Sequence, residues 1–293
     1  MAIYFYSNYS TKYGSRNFGD DINPFLLGSL FSKTLIDSPR ICIVGIGTIL
    51  ATGISEKVAR YEKKIVFSSG VAYGTLTEKF DDSWDFVCVR GPKTRAVLNL
   101  PEDTGICDGA ILLADFFPPR AASQREGIVF IPHVNTDWAA GERLRKICRE
   151  ARLAYLCPDA PAEHFIETVR GASLVIAEAM HGAILADAMR TPWIPMHFLH
   201  HTQFKWEDWF ASVELPYGSH HLHPPFWKDT KHGMRSFVKK PYHAIKHFLV
   251  KRRLQAFARE TNALMSADGV IEARKMMLRE KVRLINERYG KGG

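Results

Sequence analysis

Three short segments of this chain carry side chains suited to binding or moving charge. Each follows an apolar run. Asn17–Asp21 (NFGDD) holds the paired carboxylates Asp20 and Asp21, 90–94 (RGPKT) holds Arg90 and Lys93, and Glu178–Gly182 (EAMHG) holds Glu178 and His181. A guanidinium is a rigid fork of donors that matches carboxylate or phosphate, and main-chain N–H groups at a helix start attract the same anions. Arg90, with Gly91 and Pro92 opening a helix after it, therefore forms a candidate anion site. His181 precedes Gly182 at a strand-to-helix turn, where an imidazole can donate a proton near neutral pH. Each residue also has a structural reading: Arg90 paired with an internal acid, Asp21 capping its helix, and His181 satisfied within the fold.

Two further features bear on chemistry. Gly45–Thr48 (GIGT) has only part of a dinucleotide-binding pattern, because Leu50 stands where the third glycine belongs, so a tight turn is expected. Gln203–Phe210 (QFKWEDWF) sets Lys205 among aromatics, open either to an anion in a cleft or to packing. His200, His201, His220, His221 and His223 cluster near Pro224 and Pro225 without helix-spaced HxxxH or a cysteine pair, so no metal site is assigned and solvated loop histidines are expected.

The elements that would hold these residues follow from the apolar runs. Ala2–Tyr6, Ile41–Gly45, Ile65–Ser68 and Phe86–Val89 read as near-continuous apolar strands before turns, the pattern of a parallel sheet covered on both faces. The polar stretch Pro118–Glu126 (PPRAASQRE) marks a domain boundary. A second series follows: strands at Gly127–Pro132, Ala154–Leu156, Leu174–Ala177 and Trp193–Met196, with helices at Gly141–Arg152, Ala162–Gly171 and His181–Met189. The fold class is α/β, two Rossmann-like domains facing across a cleft: residues 1–120, residues 121–227, and a basic helical tail at 228–293 packing back on the first domain. In the tail, Val238, Tyr242, Ile245 and Leu249 share one helical face, and a further helix is expected from Gly269 to Tyr289. Ligands of open parallel sheets bind outside the carboxyl ends of the strands, where the candidate residues fall.

Bulk properties set the remaining bounds. With 293 residues, 46% hydrophobic and 24% charged, the chain is ordinary globular material sufficient for two cores. Five scattered cysteines without a CxxC pair suit reduced, buried thiols. No apolar run reaches the ~18 residues of a membrane span and Ala2–Tyr6 is too brief for a signal peptide, so a cytoplasmic location is expected. The net charge of +8 favours anionic partners. Between Lys228 and Arg253 stand nine Lys or Arg and one acid, Asp229, a stretch suited to an anionic membrane surface or to a solvated helix face. Nucleic acid is not expected, because no recognised binding motif accompanies the charge.

Taken in order, NFGDD, GIGT, VRGPKT, CDGAILL, the strand ending at His133, IAEAMHGAILADAMRTPW and KWEDW resemble the polysaccharide pyruvyl transferase family, especially its exopolysaccharide ketal-pyruvate transferase branch. The resemblance runs from Asn17 to Trp209 and implies a fold like the GT-B glycosyltransferases. It also implies transfer of the enolpyruvyl group of phosphoenolpyruvate, as co-substrate and without a cofactor, onto two hydroxyls of a glycan or lipid-linked oligosaccharide. A cyclic ketal forms and phosphate leaves. By resemblance Arg90 binds the donor, with Lys93, Lys205, Gly47, Thr48 and His133 around it. His181, Asp20, Asp21 and Glu178 are the catalytic candidates: His181 as proton donor, Asp20 or Asp21 orienting or deprotonating the sugar hydroxyl. Where many members carry Arg two positions before the histidine, this chain has Ala179. A peripheral position at the inner face of the cytoplasmic membrane accords with a lipid-linked acceptor. The competing readings are a GT-B glycosyltransferase using a nucleotide sugar and a non-catalytic basic membrane- or nucleic-acid-binding protein.

Overall fold

The computed structural model describes residues 2–6, 17–198, 202–222, 240–259 and 262–290. The described chain is α/β, with two parallel sheets and two compact units. The first unit comprises 1–116, 202–217 and 266–293; the second comprises 117–201 and 218–265. The units are thus interleaved in sequence, not consecutive blocks. The helix Gln203–Ser212 returns to the first unit, and the two tail helices are divided between the units.

In the first unit, β1 (Ile3–Tyr4), β2 (Ile41–Val44), β3 (Gly47–Leu50), β4 (Lys63–Val71) and β5 (Trp84–Val89) form one parallel sheet. β2 and β3 lie along the same edge of β4 at one register, Val44 opposite Val66 and Gly47 opposite Ser69. The glycine-rich segment is therefore a break within a continuing strand, not the strand-to-helix turn expected. Main-chain groups freed at the break need partners. The buried amide of Asn23 supplies them to Ile46, accepting from its N–H at 2.7 Å and donating to its carbonyl at 3.1 Å, while Ser69 Oγ donates to the carbonyl of Gly45. A side chain at Gly45 would overlap Asn23. The helix Asp268–Tyr289 is pinned to this unit: Asn286 accepts from Ser32 N and donates to Leu30 O, and Arg279 forks onto Asp115.

In the second unit, β6 (Ile128–Ile131), β7 (Ala154–Tyr155), β8 (Leu174–Ala177), β9 (Trp193–His197) and β10 (His220–His221) are all parallel, in the order β7-β6-β8-β9-β10. The winding reverses between β6 and β8. Such a reversal opens a crevice at the carboxyl ends of the two strands, the usual ligand position of this architecture. The core gathers Phe130, Leu144, Ile147, Leu174 and Ile176.

The tail helix Lys240–Phe257 belongs to the second unit, where Val250, Leu254 and Phe257 join that core. Its buried face is therefore not the one expected, since Ile245 and Leu249 are exposed. Apolar residues surround this helix, so periodicity offers two stripes and packing selects one. His200, His201, His223 and Lys228–Lys239 lie outside the described residues.

Candidate active site

In the first unit, the helix start at Gly91–Pro92 does hold an anion, and the anion is a side chain of the chain itself. Asp208 Oδ1 accepts from the main-chain N–H groups of Lys93 at 2.9 Å and Thr94 at 3.0 Å, and its Oδ2 accepts from Thr94 Oγ1 at 2.6 Å. Arg90, which is 0% exposed, closes the arrangement. Its Nε donates to Asp208 Oδ2 at 3.1 Å, and its two terminal nitrogens donate to Thr48 Oγ1 at 3.1 Å and the Val71 carbonyl at 2.7 Å. A buried guanidinium needs this compensation, because an unpaired charge away from water is far costlier than a paired one. A Cβ at Gly70 would fall inside that guanidinium, and one at Gly91 would overlap the Asp208 carboxylate. Both glycines serve close approach. Arg90, expected as a direct donor ligand, is thus an internal brace between Thr48 and Asp208. Sequence reading passed over Asp208; its only trace was the acidic pair Glu207–Asp208 inside KWEDW, 118 residues from Arg90.

Around this brace lie the other residues of the first unit. Gly47 adopts φ +127°, a region favouring glycine, and a Cβ there would lie 3.6 Å from Asp20 Oδ1, so the Asp20 carboxyl rests against the strand break. Asn17 Nδ2 donates to Asp20 Oδ2 at 2.9 Å. Burial pushes the Asp20 carboxyl up to about 6, with the neighbouring Asp21 charge acting in the same direction and Asn17 and the Lys205 ammonium opposing. The fold therefore brings Asp20, Gly47 and Lys205 together, with Thr48 joining them to Arg90. Lys93 stands at the exposed rim, its ammonium 2.6 Å from Glu207. Of the aromatics around Lys205, Trp206, Trp209 and Phe210 are buried packing and Phe204 is half-buried.

In the second unit, the candidates follow the carboxyl ends of β6 and β8, between which the winding reverses. His133 follows β6 and caps the helix Val134–Ala151, its Nδ1 accepting from Asn135 N at 3.2 Å. His181 is half-buried in the first turn of the helix Met180–Ala188, just past β8. That helix lies close to β6, and a Cβ at Gly182 would press on Ile131. Glu178, expected among the catalytic groups, is only 2% exposed. Its carboxylate accepts from His133 N at 2.9 Å, Thr136 Oγ1 at 2.9 Å and Phe198 N at 3.0 Å. It ties together the ends of β6, β8 and β9 and holds the main chain at His133 in place.

The remaining polar clusters have structural partners. His221 packs edge-on against His197, and His220 lies 5.0 Å from the Phe257 ring. Among the described residues no group of three or more His, Cys, Asp or Glu is placed to hold a metal ion. Cys42, Cys88, Cys107 and Cys148 are buried and Cys157 is half-buried. Burial pushes the thiols of Cys42, Cys88, Cys148 and Cys157 up to about 12, unsuited to nucleophilic work.

Comparison with known proteins matches residues 4–196 to the family described as polysaccharide pyruvyl transferase. The succinoglycan biosynthesis protein ExoV of Rhizobium meliloti (strain 1021) is 35% identical over 203 residues, which is 69% of this chain and 63% of that protein. The chain thus spans less than two thirds of the relative's length.

Proposed function

The chain belongs to the polysaccharide pyruvyl transferase family, and from that premise we propose that it moves the enolpyruvyl group of phosphoenolpyruvate onto two hydroxyls of one sugar in an exopolysaccharide or its lipid-linked precursor. The observation that carries this reading is the family match over residues 4–196, which takes in Asp20, Arg90, His133 and His181 together. The relative's name, a succinoglycan biosynthesis protein, points to the same polymer class. Each unit is read as a Rossmann-like half of a GT-B-like enzyme.

The reaction needs a proton delivered to the methylene carbon of phosphoenolpyruvate, which leaves the neighbouring carbon electron-poor and open to a sugar hydroxyl. That hydroxyl loses its proton as the first C–O bond forms. A second hydroxyl then attacks the same carbon, the C–O bond to phosphate breaks, and the departing phosphate keeps the electron pair and takes up the second hydroxyl's proton. We assign the first proton to His181, whose place at a helix start beyond β8 puts it at the carboxyl end of the sheet, where ligands of such folds bind. Asp20, with its carboxyl at about 6, is ionised at neutral pH yet basic enough to take the hydroxyl proton. Lys205 is the leading cation for the donor's charge, Lys93 the second, and Arg90 acts by holding Thr48 and the helix start at Pro92 in place. With Ala179 where many members carry Arg, the lysines carry more of that task.

A coupled phosphate assay tests the reading. Phosphate release from phosphoenolpyruvate that depends on an added exopolysaccharide acceptor supports it. No release, with turnover of a nucleotide sugar by the same preparation, would replace it by glycosyl transfer.

A further inference from the structure

The helix Lys240–Phe257 of the second unit is apolar on two sides, and only one of them is used by the core. Val250, Leu254 and Phe257 pack beside Leu144, Ile147 and Cys148. On the other side Ile245, Phe248 and Leu249 are exposed by 60%, 55% and 48%. These three sit at i, i+3 and i+4 and so form one continuous patch. Large apolar side chains grouped this way, unlike scattered ones, mark a surface that something covers.

The charge around the patch selects the occupant. From Lys240 to Arg259 the chain carries six Lys or Arg and no acid. The guanidinium of Arg252 lies 5.6 Å from the ring centre of Phe248, at the border of the patch. Beside it Arg143 and Lys146, from the helix Val134–Ala151, join His243 and His247 around an open hollow of about 410 Å³. Among the described residues the acid Glu150 faces this group, accepting from His247 at 2.9 Å and lying 3.3 Å from Lys251. Two copies of so basic a face repel each other, and a nucleic-acid backbone offers nothing to exposed isoleucine and leucine. An anionic lipid surface offers both acyl chains for the patch and phosphates for the cations, and long basic side chains can bury their stems while keeping the charge at the headgroups. No helix among the described residues is long and apolar enough to cross a membrane, so the contact is one of surface docking.

We propose that this face docks the protein on anionic lipid, with Ile245, Phe248 and Leu249 entering the headgroup boundary and Arg143 and Lys146 receiving a lipid phosphate in the adjoining hollow. The inference does not depend on the pyruvyl-transfer reading. It does explain how such a transferase would meet a lipid-linked acceptor.

Co-sedimentation of the full chain with vesicles tests it. The protein should bind phosphatidylglycerol-containing vesicles at least about tenfold more tightly than pure phosphatidylcholine vesicles, and added salt should weaken the binding. The double change Phe248→Ser with Leu249→Ser, and separately Arg143→Gln with Lys146→Gln, should each lower the binding about tenfold or more. Circular dichroism and the thermal midpoint should stay unchanged in both. Since the two variants alter different contacts, failure of one to fold leaves the other decisive. Absence of vesicle binding, equal binding by a folded variant, or a dimer in light scattering that the serine changes dissolve would overturn the proposal. Phosphate release with a soluble acceptor should be unaffected in both variants, so failure of the chemistry and failure of the docking are read separately.

Discussion

The carboxylate of Asp208 lies 3.1 Å from Nε of Arg90, both side chains fully buried, and caps the helix that begins two residues after that arginine. One acid thus neutralises the guanidinium and satisfies two main-chain N–H groups. Breaking such a pair strands a charge away from water, at a cost of about 3–5 kcal/mol. Asp208→Ala should therefore lower stability by about that amount, measured by urea unfolding with an unchanged m-value, and Arg90→Ala should do likewise. If Arg90→Ala abolished activity at full stability, Arg90 would be a donor ligand and not a brace.

Asp20 makes a pH prediction. Its carboxyl is pushed up to about 6, chiefly by burial. In its proposed role as base it must be ionised, so kcat/KM should rise with pH through about 6, and Asp20→Asn should remove that limb together with most of the activity. Stability should move the opposite way. Because the folded state binds this proton more tightly than the unfolded chain, the contribution is fully present below the ordinary aspartate range. It is lost as pH rises through about 6. Asn should accordingly flatten the decline of the thermal midpoint between pH 4 and 6, values that follow from the ordinary aspartate pKa and the raised one.

His181→Ala should reduce kcat by about 10²–10⁴-fold, the usual contribution of a positioned acid, with little change in thermal midpoint because the ring is only half-buried. Retention of near-full kcat would remove His181 from the mechanism.

Glu178→Gln separates positioning from catalysis. The carboxylate accepts from His133, Thr136 and Phe198, and an amide turns part of that acceptor into a donor facing N–H groups, at a cost of about 1–3 kcal/mol. A brace should show this loss in thermal unfolding together with a weaker KM. A proton-transferring Glu178 would instead lose kcat at unchanged stability.

Continuous apolar runs bounded by turns were readable in the sequence, which is why Leu174–Ala177 and the helix Ala162–Gly171 have the limits expected from it. Residues beyond strand ends were equally readable, so His133 and His181 could be placed just past β6 and β8 beforehand. Pairing across long sequence separation was not. Nothing local to Arg90 shows that its charge is met by Asp208, and nothing in GIGT shows that the chain resumes the same strand on the edge of β4. The tail helix was misread for a related reason: Ile245 and Leu249 fit a helical stripe as well as Val250 and Leu254 do, and only the neighbouring helix Val134–Ala151 decides between them.

Carrying out the reaction in D₂O with phosphoenolpyruvate and an unpyruvylated glycan acceptor, then following phosphate and the glycan by NMR and mass spectrometry, tests the central claim most directly. The account predicts equimolar phosphate and a pyruvate ketal whose methyl group holds a single deuterium, taken up when the methylene carbon is protonated. A glycan without a ketal, alongside transfer of a sugar from a nucleotide donor, would contradict it.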